Sequence, residues 1–484
     1  MPASVARAEF GRPIAPGFVG LSFEFDAVRA YTGHDPRAIN PVLEQLIRNL
    51  APEQRPSLRI GGDSTDSTGW QTPPASSQPG ASYILTSGWM QTTRALARAL
   101  DARLILGIHL KDGRAGVART EASALLAGVG RANVQAFEIG NEPELYGKFP
   151  WYRPRLGHPR PGFGQTRFGH KIYARPPGYD FQSFTADFAR IGAVLGAVPL
   201  AGPATGAIPG TRLLAELLNS TPSPAVVTFH RYPLNRCFTA PTSRAYPTLS
   251  NLLAPRASSG LVDRIQPYVR LAHRRGRTFR VDELNSVACG GAHGVSDTFA
   301  SSLWMLNTLF EMARIGVEGV NIHTFPGARY APFSFGHANG RWWGSVHPAY
   351  YGLLMFARAA PPGARLLRVG HSPAAKVKIW ATLGRDGAIR IVLINQSVER
   401  SHPVLIRPPV PGTGASIERL LAPSLDATSG LTLAGQHFAA PTATGTLTGS
   451  ELSTPIRPVA GTYLVRLPAA SAAVLTIAST APAR

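Results

Sequence analysis

Short β-rich segments alternate with amphipathic helical segments through residue 356 of the chain. Each β-rich segment ends in polar or glycine residues and is followed by apolar residues at helical spacing, as in 41–50, 92–100, 121–129, 181–195 and 297–315. The β-rich segments are 18–25, 57–64, 103–110, 134–140, 198–204, 225–232, 278–285 and 316–325. Eight strands separated by helices predict an α/β fold of the (β/α)8 TIM-barrel type. A doubly wound open sheet is the rival, but no glycine-rich phosphate loop follows the first predicted strand.

The pattern changes after the Ala-Ala-Pro-Pro-Gly run at 359–363. Beyond it, short alternating strands are separated by proline and glycine clusters, which is typical of an antiparallel β-sandwich. These predicted strands are 377–382, 389–396, 403–406, 416–421, 463–467 and 473–477, and the first dozen residues are expected to add a strand to them. We therefore predict sandwich strands in 1–15, the barrel in 16–356, and an accessory antiparallel β-sandwich domain in 357–484, built from both chain ends.

The chain carries a formal net charge of +21, which raises the question of a nucleic-acid partner. Five of the 49 basic residues are lysine, so 44 are arginine, and the arginines are scattered instead of forming a run. We interpret the excess mainly as the base composition of a GC-rich bacterial genome, with attraction to an acidic substrate as a second source. No nucleic-acid partner is expected. No run of 18 apolar residues occurs, so no transmembrane helix is expected either.

An insertion at 147–179 follows the fourth predicted strand and contains seven lysine and arginine residues and no acid. Loops at this end of a barrel strand lie over the catalytic face. The insertion is therefore either a wall that attracts an anionic sugar or an ordinary arginine-rich surface loop. Both interpretations stay open.

Carboxylates at strand ends are the candidate catalytic groups. Glu142 follows the fourth predicted strand within Ile-Gly-Asn-Glu-Pro, and Glu283 ends the seventh within Val-Asp-Glu-Leu-Asn. Cleavage of a glycosidic bond uses such a pair, because one carboxyl group must donate a proton while the other attacks the anomeric carbon. A single strand-end glutamate more often forms a salt bridge or caps a helix. Two on these strands, one directly preceded by Asn141, favour catalysis.

The ordered motifs along the barrel resemble glycoside hydrolase family 79, the β-glucuronidase and heparanase family of the retaining clan A. The matching segments are 59–66 (RIGGDSTD), 138–143 (EIGNEP), 230–234 (HRYPL), 282–283 (DE), 290–291 (GG), 296–300 (SDTFA) and 348–352 (PAYYG). The resemblance implies that Glu142 is the general acid/base and Glu283 the nucleophile. It also implies that Asn141 bonds the sugar 2-hydroxyl and that Tyr232 bonds Glu283.

The resemblance further assigns the sugar pocket to Asp66, Glu24, Gly290, Gly291, Tyr330 and His323. Asp66 and Glu24 would accept bonds from sugar hydroxyls. The uronic carboxylate would bind the hydroxyl of Tyr330 and the backbone of the paired glycines, whose missing side chains allow close approach to an anion. For His323 we favour a hydrogen-bonded structural role over one in lining the pocket.

The two cysteines lie in loops that a barrel would place side by side. Cys237 follows the sixth predicted strand and Cys289 the seventh, and neighbouring strands run about 4.8 Å apart. We predict a disulfide that braces the glycine loop, with two free buried thiols as the alternative. A disulfide favours an oxidising compartment, so we expect a secreted or periplasmic protein. The N-terminus lacks the features of a signal peptide, which is consistent with a cytoplasmic protein or with removal of the signal.

The leading hypothesis is a retaining, exo-acting β-glucuronidase that takes a glucuronide or a uronic-acid-containing glycan by double displacement. An endo-acting, heparanase-like enzyme on acidic glycans and a neutral-sugar hydrolase of clan A are the enzymatic alternatives. A non-catalytic binder of acidic polymers is the alternative from another class. We expect no metal and no cofactor, because no histidine and aspartate cluster has ligand spacing, and we expect a monomer.

Overall fold

Eight parallel strands close into a barrel in the computed structural model, which describes residues 1–70, 83–111, 113–149, 173–371, 376–409 and 414–478. In chain order the barrel strands are Val19–Glu24, Ser57–Gly61, Arg103–Ile108, Val134–Ile139, Leu200–Thr205, Val226–Arg231, Thr278–Leu284 and Gly319–Thr324. Each pairs with its neighbour in sequence, and the eighth pairs with the first. The predicted barrel is confirmed.

Helices lie between and beyond the barrel strands. They are Ala27–Thr32, Pro41–Leu50, Ser87–Leu100, Ala115–Leu125, Phe181–Gly192, Thr211–Leu218, Leu249–Leu252, Ser259–Asp263, Gln266–Arg274, Phe299–Arg314 and Pro348–Ala359. The third begins five residues earlier than the predicted start at 92, because the Thr86 side chain accepts the Trp89 N–H and caps a turn that contains Gly88. Within the described residues, no helix has the length and apolar character needed to cross a membrane.

The accessory domain is one mixed sheet to which both chain ends contribute. Its strands, in spatial order, are Thr432–Leu433, Ala415–Leu421, Ser471–Ile477, Ile389–Asn395, Val377–Leu383, Arg365–His371, Pro2–Phe10, His402–Arg407 and Tyr463–Leu467, with Thr454–Ile456 beside Ala415–Leu421. The N-terminal strand pairs antiparallel on one side and parallel on the other. That parallel pairing departs from the all-antiparallel expectation.

Apolar side chains from the N-terminal strand and from the C-terminal strands share one buried cluster, separate from the large barrel core. Ala3 and Val5 point into this cluster, while Ser4 and Ala6 face solvent on the other side of the strand. The first ten residues therefore complete the accessory core.

Shorter strand pairs lie in the loops that follow the barrel strands. They are Thr68–Trp70 with Tyr83–Leu85, Leu234–Asn235 with Val287–Ala288, and the hairpin Phe333–Ala338 with Arg341–Val346; His437–Phe438 pairs with Leu447–Thr448 in the C-terminal region. The second pair aligns the loops that follow the sixth and seventh barrel strands. It thereby brings Cys237 and Cys289 together.

Val5→Asp tests the contribution of the N-terminal strand. A charge at this buried position has no partner in the apolar cluster, so we expect the free energy of unfolding to fall by about 3 kcal/mol. Thermal melting followed by circular dichroism measures the effect. Ala6→Asp, the exposed neighbour on the same strand, is the matched control and should change stability by less than about 0.5 kcal/mol. Equal losses in the two variants would contradict this role.

Candidate active site

Arg59 is a fully buried arginine in the second barrel strand, with 0% of its side chain exposed. Its Nε donates to Oε2 of Glu138 at 2.8 Å, its Nη1 donates to Oε2 of Glu283 at 2.9 Å, and its Nη2 donates to Oδ1 of Asn141 at 2.8 Å. Burial alone would lower the pKa of Arg59, but Glu138, Asp282 and Glu283 raise it above its ordinary value. One guanidinium therefore joins the ends of the second, fourth and seventh strands.

Glu283 is held as an ionised carboxylate. The Tyr232 hydroxyl donates to Oε1 at 2.5 Å, and Arg59 donates to Oε2. The Nδ1 atoms of His230 and His323 each lie 3.7 Å from Oε2. Burial would raise the pKa of Glu283, but His323, His230, Arg59 and the Tyr232 bond outweigh it and hold the pKa well below its usual range. The predicted contact between Tyr232 and Glu283 is present.

Glu142 lies opposite Glu283 at the end of the fourth strand. Its backbone has φ of 46°, in the left-handed region that a non-glycine residue rarely adopts, and its N–H donates to Ala204 O at 2.8 Å. Its Oε1 lies 3.1 Å from Nδ1 of His230. Carboxylate oxygens of Glu142 and Glu283 approach within 4.8 Å of each other. This separation leaves no room for the intervening water of an inverting hydrolase, whose carboxyl groups lie about 6.5–9.5 Å apart.

Glu138 and Asp282 form a buried carboxyl pair beneath these two residues. Oδ2 of Asp282 lies 3.7 Å from Nε of Arg59 and 3.8 Å from Nε2 of His230. Burial and Asp282 raise the pKa of Glu138 to about 8. Burial pushes the pKa of Asp282 upwards, but Glu138, His230 and Arg59 together lower it. The two carboxyl groups titrate as a pair, in which Glu138 keeps its proton to the higher pH.

His230 is a buried cation within this cluster. Burial alone would lower its pKa, but Glu283 and Asp282, with hydrogen bonds to Asp282 and Glu142, raise the pKa well above the ordinary value. Arg59 and His230 thus face the carboxylates of Asp282 and Glu283.

Asn141 is oriented from both sides. Its Oδ1 accepts from Arg59, and its Nδ2 donates to Oδ1 of Asp63 at 3.2 Å. Its backbone N–H donates to the Tyr146 hydroxyl at 3.0 Å. One N–H of the side-chain amide is left for a further acceptor in this geometry. That is compatible with the contact to a sugar hydroxyl expected for Asn141.

Asp66 does not fit the sugar-binding role that the resemblance implied, and this expectation is corrected. Only 1% of Asp66 is exposed. Its Oδ1 accepts the N–H groups of Leu110 and Lys111 at 2.9 and 3.1 Å, and its Oδ2 accepts the Tyr146 hydroxyl. Both oxygens of the carboxylate are thus bonded within the protein, and Asp66 is not among the residues that line the cavity. Asp63, three residues earlier, is the exposed acid that lines the adjacent cavity.

Glu24 and His323 meet at the ends of the first and eighth strands. Glu24 accepts the N–H groups of Asp63 and Ser64 at 3.1 and 2.8 Å and lines the cavity, which fits its expected location. His323 is 3% exposed, with Nδ1 3.2 Å from Ser22 Oγ and Nε2 3.4 Å from Glu24 Oε1. The favoured structural role for His323 agrees with these contacts, although the same ring also lies beside Glu283.

The glycine loop differs from the expectation at one of its two positions. Gly290 lines the cavity with φ of 82°, and its carbonyl accepts the Arg329 N–H at 2.7 Å. The N–H of Gly291 donates to Val287 O at 3.1 Å, and a Cβ there would lie 2.7 Å from the Tyr330 nitrogen. Gly291 is therefore required for packing, and its N–H is not available to a carboxylate. Tyr330 is 2% exposed, packs beside Tyr232 and forms a hydrogen bond with it.

Cys237 and Cys289 form the predicted disulfide. It links the loops after the sixth and seventh strands, 52 residues apart in the sequence. The brace holds the start of the glycine loop in place.

An open cavity of about 820 Å³ lies at the mouth of the barrel, next to Glu24 and Asp63; Glu142 and Glu283 are not among its lining residues. It is lined by Glu24, Asp26, Ala27, Asp63, Ser64, Ser67, Arg236, Cys289, Gly290 and residues 325–329. These residues follow strands one, two, six, seven and eight, so the cavity occupies the side of the barrel mouth away from Glu142. Most of the basic insertion, residues 150–172, lies outside the described residues. The attraction of an anionic sugar by this insertion therefore stays a prediction.

Glu142, His230 and Glu283 offer three ligand atoms within 4.8 Å of one another, a spacing that a cation could occupy. Protein groups already balance these donors, because His230 is itself charged and Arg59 donates to Glu283. The donor set therefore fits proton transfer better than metal binding.

Sequence reasoning did not assign roles to Arg59, His230, Glu138 or Asp63, although all four stand within the motifs quoted above. A charged residue in the middle of an apolar strand, as at Arg59, was the available signal. Its partners come from strands roughly 80 and 220 positions away, and only the closed barrel brings them together.

Comparison with known proteins finds a relative by sequence and several proteins of similar fold. The chain is 23% identical to a β-glucuronidase of Neurospora crassa over 431 residues, 81% of this chain and 74% of that protein. No family model matches the chain.

Among solved structures, the fold is similar to that of a 4-O-α-L-rhamnosyl-β-D-glucuronidase from Fusarium oxysporum, with a TM-score of 0.76, 19% identity, and 98% and 100% of the two chains covered. An arabinofuranosidase of family 51 from Xanthomonas axonopodis pv. citri matches with a TM-score of 0.66, 14% identity and coverage of 98% and 99%. These similarities agree with the barrel and the accessory β-rich domain, and with the resemblance drawn from the motifs.

Glu138→Gln tests the shared proton. Folded Glu138 keeps its proton up to a pKa of about 8 but releases it near 4.5 when unfolded, so the folded chain binds more protons in that interval and its stability falls as the pH rises. Glutamine supplies a neutral donor at all pH values. We expect near-native melting at pH 5 and a smaller loss of stability between pH 5 and 8 than in the unmodified chain, measured by thermal melting across that range.

Asp282→Asn is the matched control. It removes an ionised group that compensates Arg59 and His230, and we expect it to cost about 3 kcal/mol of stability at pH 5. Equal melting temperatures for Glu138→Gln and Asp282→Asn at that pH would contradict the assignment of the proton to Glu138.

Proposed function

We propose that the chain is a retaining glycoside hydrolase that cleaves β-linked glucuronic acid by double displacement. The observation that carries the proposal is the pair Glu142 and Glu283, with oxygens within 4.8 Å at the mouth of the barrel and with Glu283 held ionised. The similarity to two glucuronidases, one by sequence and one by fold, supports the substrate class.

In the first step, Glu283 attacks the anomeric carbon while Glu142 protonates the departing aglycone oxygen. Oε1 of Glu142 is engaged by His230, so its Oε2 is the oxygen available to carry the proton. Asn141, held by Arg59 and Asp63, directs its remaining N–H towards the 2-hydroxyl. This contact strengthens as the ring approaches the oxocarbenium-like transition state.

In the second step, Glu142 changes its role. Having given its proton to the aglycone oxygen in the first step, Glu142 accepts a proton from the water that attacks the glycosyl ester of Glu283. Hydrolysis releases the sugar and regenerates the carboxylate of Glu283 and the protonated Glu142.

The natural substrate class is a glucuronide or a uronic-acid-containing glycan from which a terminal residue is released. The cavity lies on the side of the barrel mouth away from Glu142 and offers room for the sugar that becomes attached to Glu283. The Cys237–Cys289 disulfide supports a secreted or periplasmic location. Sizing of the products from glucuronide-containing oligosaccharides distinguishes exo from endo action.

A neutral-sugar hydrolase is the second candidate, favoured by the fold similarity to arabinofuranosidases. It would use the same two carboxyls. Relative rates on aryl β-glucuronide, aryl β-glucoside and aryl α-arabinofuranoside separate the candidates, and a preference for either neutral substrate would replace the glucuronide assignment.

Glu283→Gln removes the nucleophile while keeping its size. We expect turnover of an aryl β-glucuronide to fall by about 10⁴-fold or more. An activated 2-deoxy-2-fluoro-β-glucuronide should add one glycosyl mass to the unmodified chain and none to the variant, as measured by intact mass spectrometry. Labelling of a different residue, or full activity in the variant, would refute the assignment.

Glu142→Ala should affect the two steps differently. With an activated aryl glucuronide, whose leaving group needs no proton, the glycosyl intermediate should form and then hydrolyse about 10²- to 10⁴-fold more slowly, because no base activates water. Azide should restore turnover and yield a β-glucuronyl azide. Stopped-flow measurement of the aryl burst reports the first step, and absence of both burst and azide rescue would count against Glu142 as the acid/base.

A further inference from the structure

Three loops at the barrel mouth are joined into one wall of the cavity. The Cys237–Cys289 disulfide connects the loop after the sixth strand to the loop after the seventh. The Gly290 carbonyl then accepts the Arg329 N–H at 2.7 Å, which connects the seventh loop to the eighth. A Cβ placed on Gly291 would lie 3.0 Å from the Cβ of Arg329, so the loops after the seventh and eighth strands are in close contact. The wall is braced by a covalent bond, a hydrogen bond and packing.

Two arginines stand on this wall. Arg236 precedes the bridged Cys237, and Arg329 is bonded to the glycine loop; both line the cavity and both are exposed. Neither guanidinium has an acidic partner among the residues that the structure describes. By contrast, Arg175 near the same face donates to Asp187 at 2.5 Å.

The same cavity also carries acids. Glu24, Asp26 and Asp63 line it, and Glu24 is held by the backbone of Asp63 and Ser64. These carboxyl groups are acceptors for sugar hydroxyls, whereas Arg236 and Arg329 are the cationic side chains among the lining residues that the structure describes. An anionic group of a bound sugar is attracted to these two guanidinium groups.

The backbone alone is a weak anion site here, because the Gly291 N–H already donates to Val287. Guanidinium groups bind carboxylates with charge-assisted, often bidentate hydrogen bonds. We propose that Arg236 and Arg329 bind the carboxylate of the uronic acid and are the side chains that select an acidic sugar over a neutral one. This inference rests on the proposed function and names the groups that determine its substrate class.

The test uses an aryl β-glucuronide with an uncharged aglycone, so that the uronate is its only anion, and the methyl ester of the same glucuronide as the neutral probe. For Arg236→Gln and Arg329→Gln we expect KM for the acid to rise roughly 10- to 100-fold, with kcat changed little. Activity on the methyl ester should be unaffected. We expect KM of the unmodified chain for the acid to increase with salt, and this increase should be weaker in the double variant.

Arg270→Gln is the matched control, since this exposed arginine lies on the helix Gln266–Arg274, away from the cavity wall. Equal KM changes in Arg270→Gln, or equal losses on the acid and the ester, would overturn the proposal.

Calorimetric measurement of glucuronate binding to the same variants distinguishes a failure of the basic wall from a failure of the proposed function. Arginine-dependent binding of glucuronate without turnover of any glucuronide would support the basic wall and overturn the proposed function. Turnover of glucuronides with KM independent of both arginines would overturn the basic wall alone.

Discussion

The buried guanidinium of Arg59 is the constraint on which the candidate site depends. A charge with no solvent contact is tolerated only when nearby groups compensate it and satisfy its donors. Glu138, Glu283 and Asn141 do so from two other strands. The same bonds fix the carboxylate of Glu283 and the side chain of Asn141 at the mouth of the barrel. The compensation of one buried cation thus determines where the reacting groups stand.

Charge compensation beneath the site extends beyond Arg59. Burial and Asp282 raise the pKa of Glu138 to about 8, whereas Glu138, His230 and Arg59 together lower the pKa of Asp282. A protonated Glu138 adds no negative charge beneath the site. Arg59 and His230 therefore compensate the carboxylates of Asp282 and Glu283.

Much of the fold could be predicted from the sequence because barrel strands are short apolar runs that end in polar residues. All eight strands, and the pairing of Cys237 with Cys289, followed from that pattern and from the order of neighbouring loops. The strand Arg365–His371 and the hairpin after the eighth strand were not predicted. Glu142 and Glu283 could be located because both stand at the ends of barrel strands, and the resemblance to the family implied their roles.

What the sequence could not supply depends on local turns and on distant partners. Asp63 and Asp66 lie in one 3-10 turn, and the rotation of that turn decides which acid faces the cavity and which is buried against Tyr146. Gly290 and Gly291 are likewise adjacent, but it is the N–H of Gly291 that donates to Val287 O and is not available to a ligand. The sequence could not place Arg236 and Arg329 on one wall, because their positions depend on the contact between the glycine loop and Arg329 as well as on the disulfide.

The stereochemistry of the first product tests the central claim most directly. Proton NMR of an aryl β-glucuronide during hydrolysis should show β-glucuronic acid first, followed by slow mutarotation to the α-anomer, because two successive displacements at a centre flanked by close carboxyls restore the configuration. Initial appearance of the α-anomer would mean a single displacement by water, and would contradict a nucleophilic Glu283.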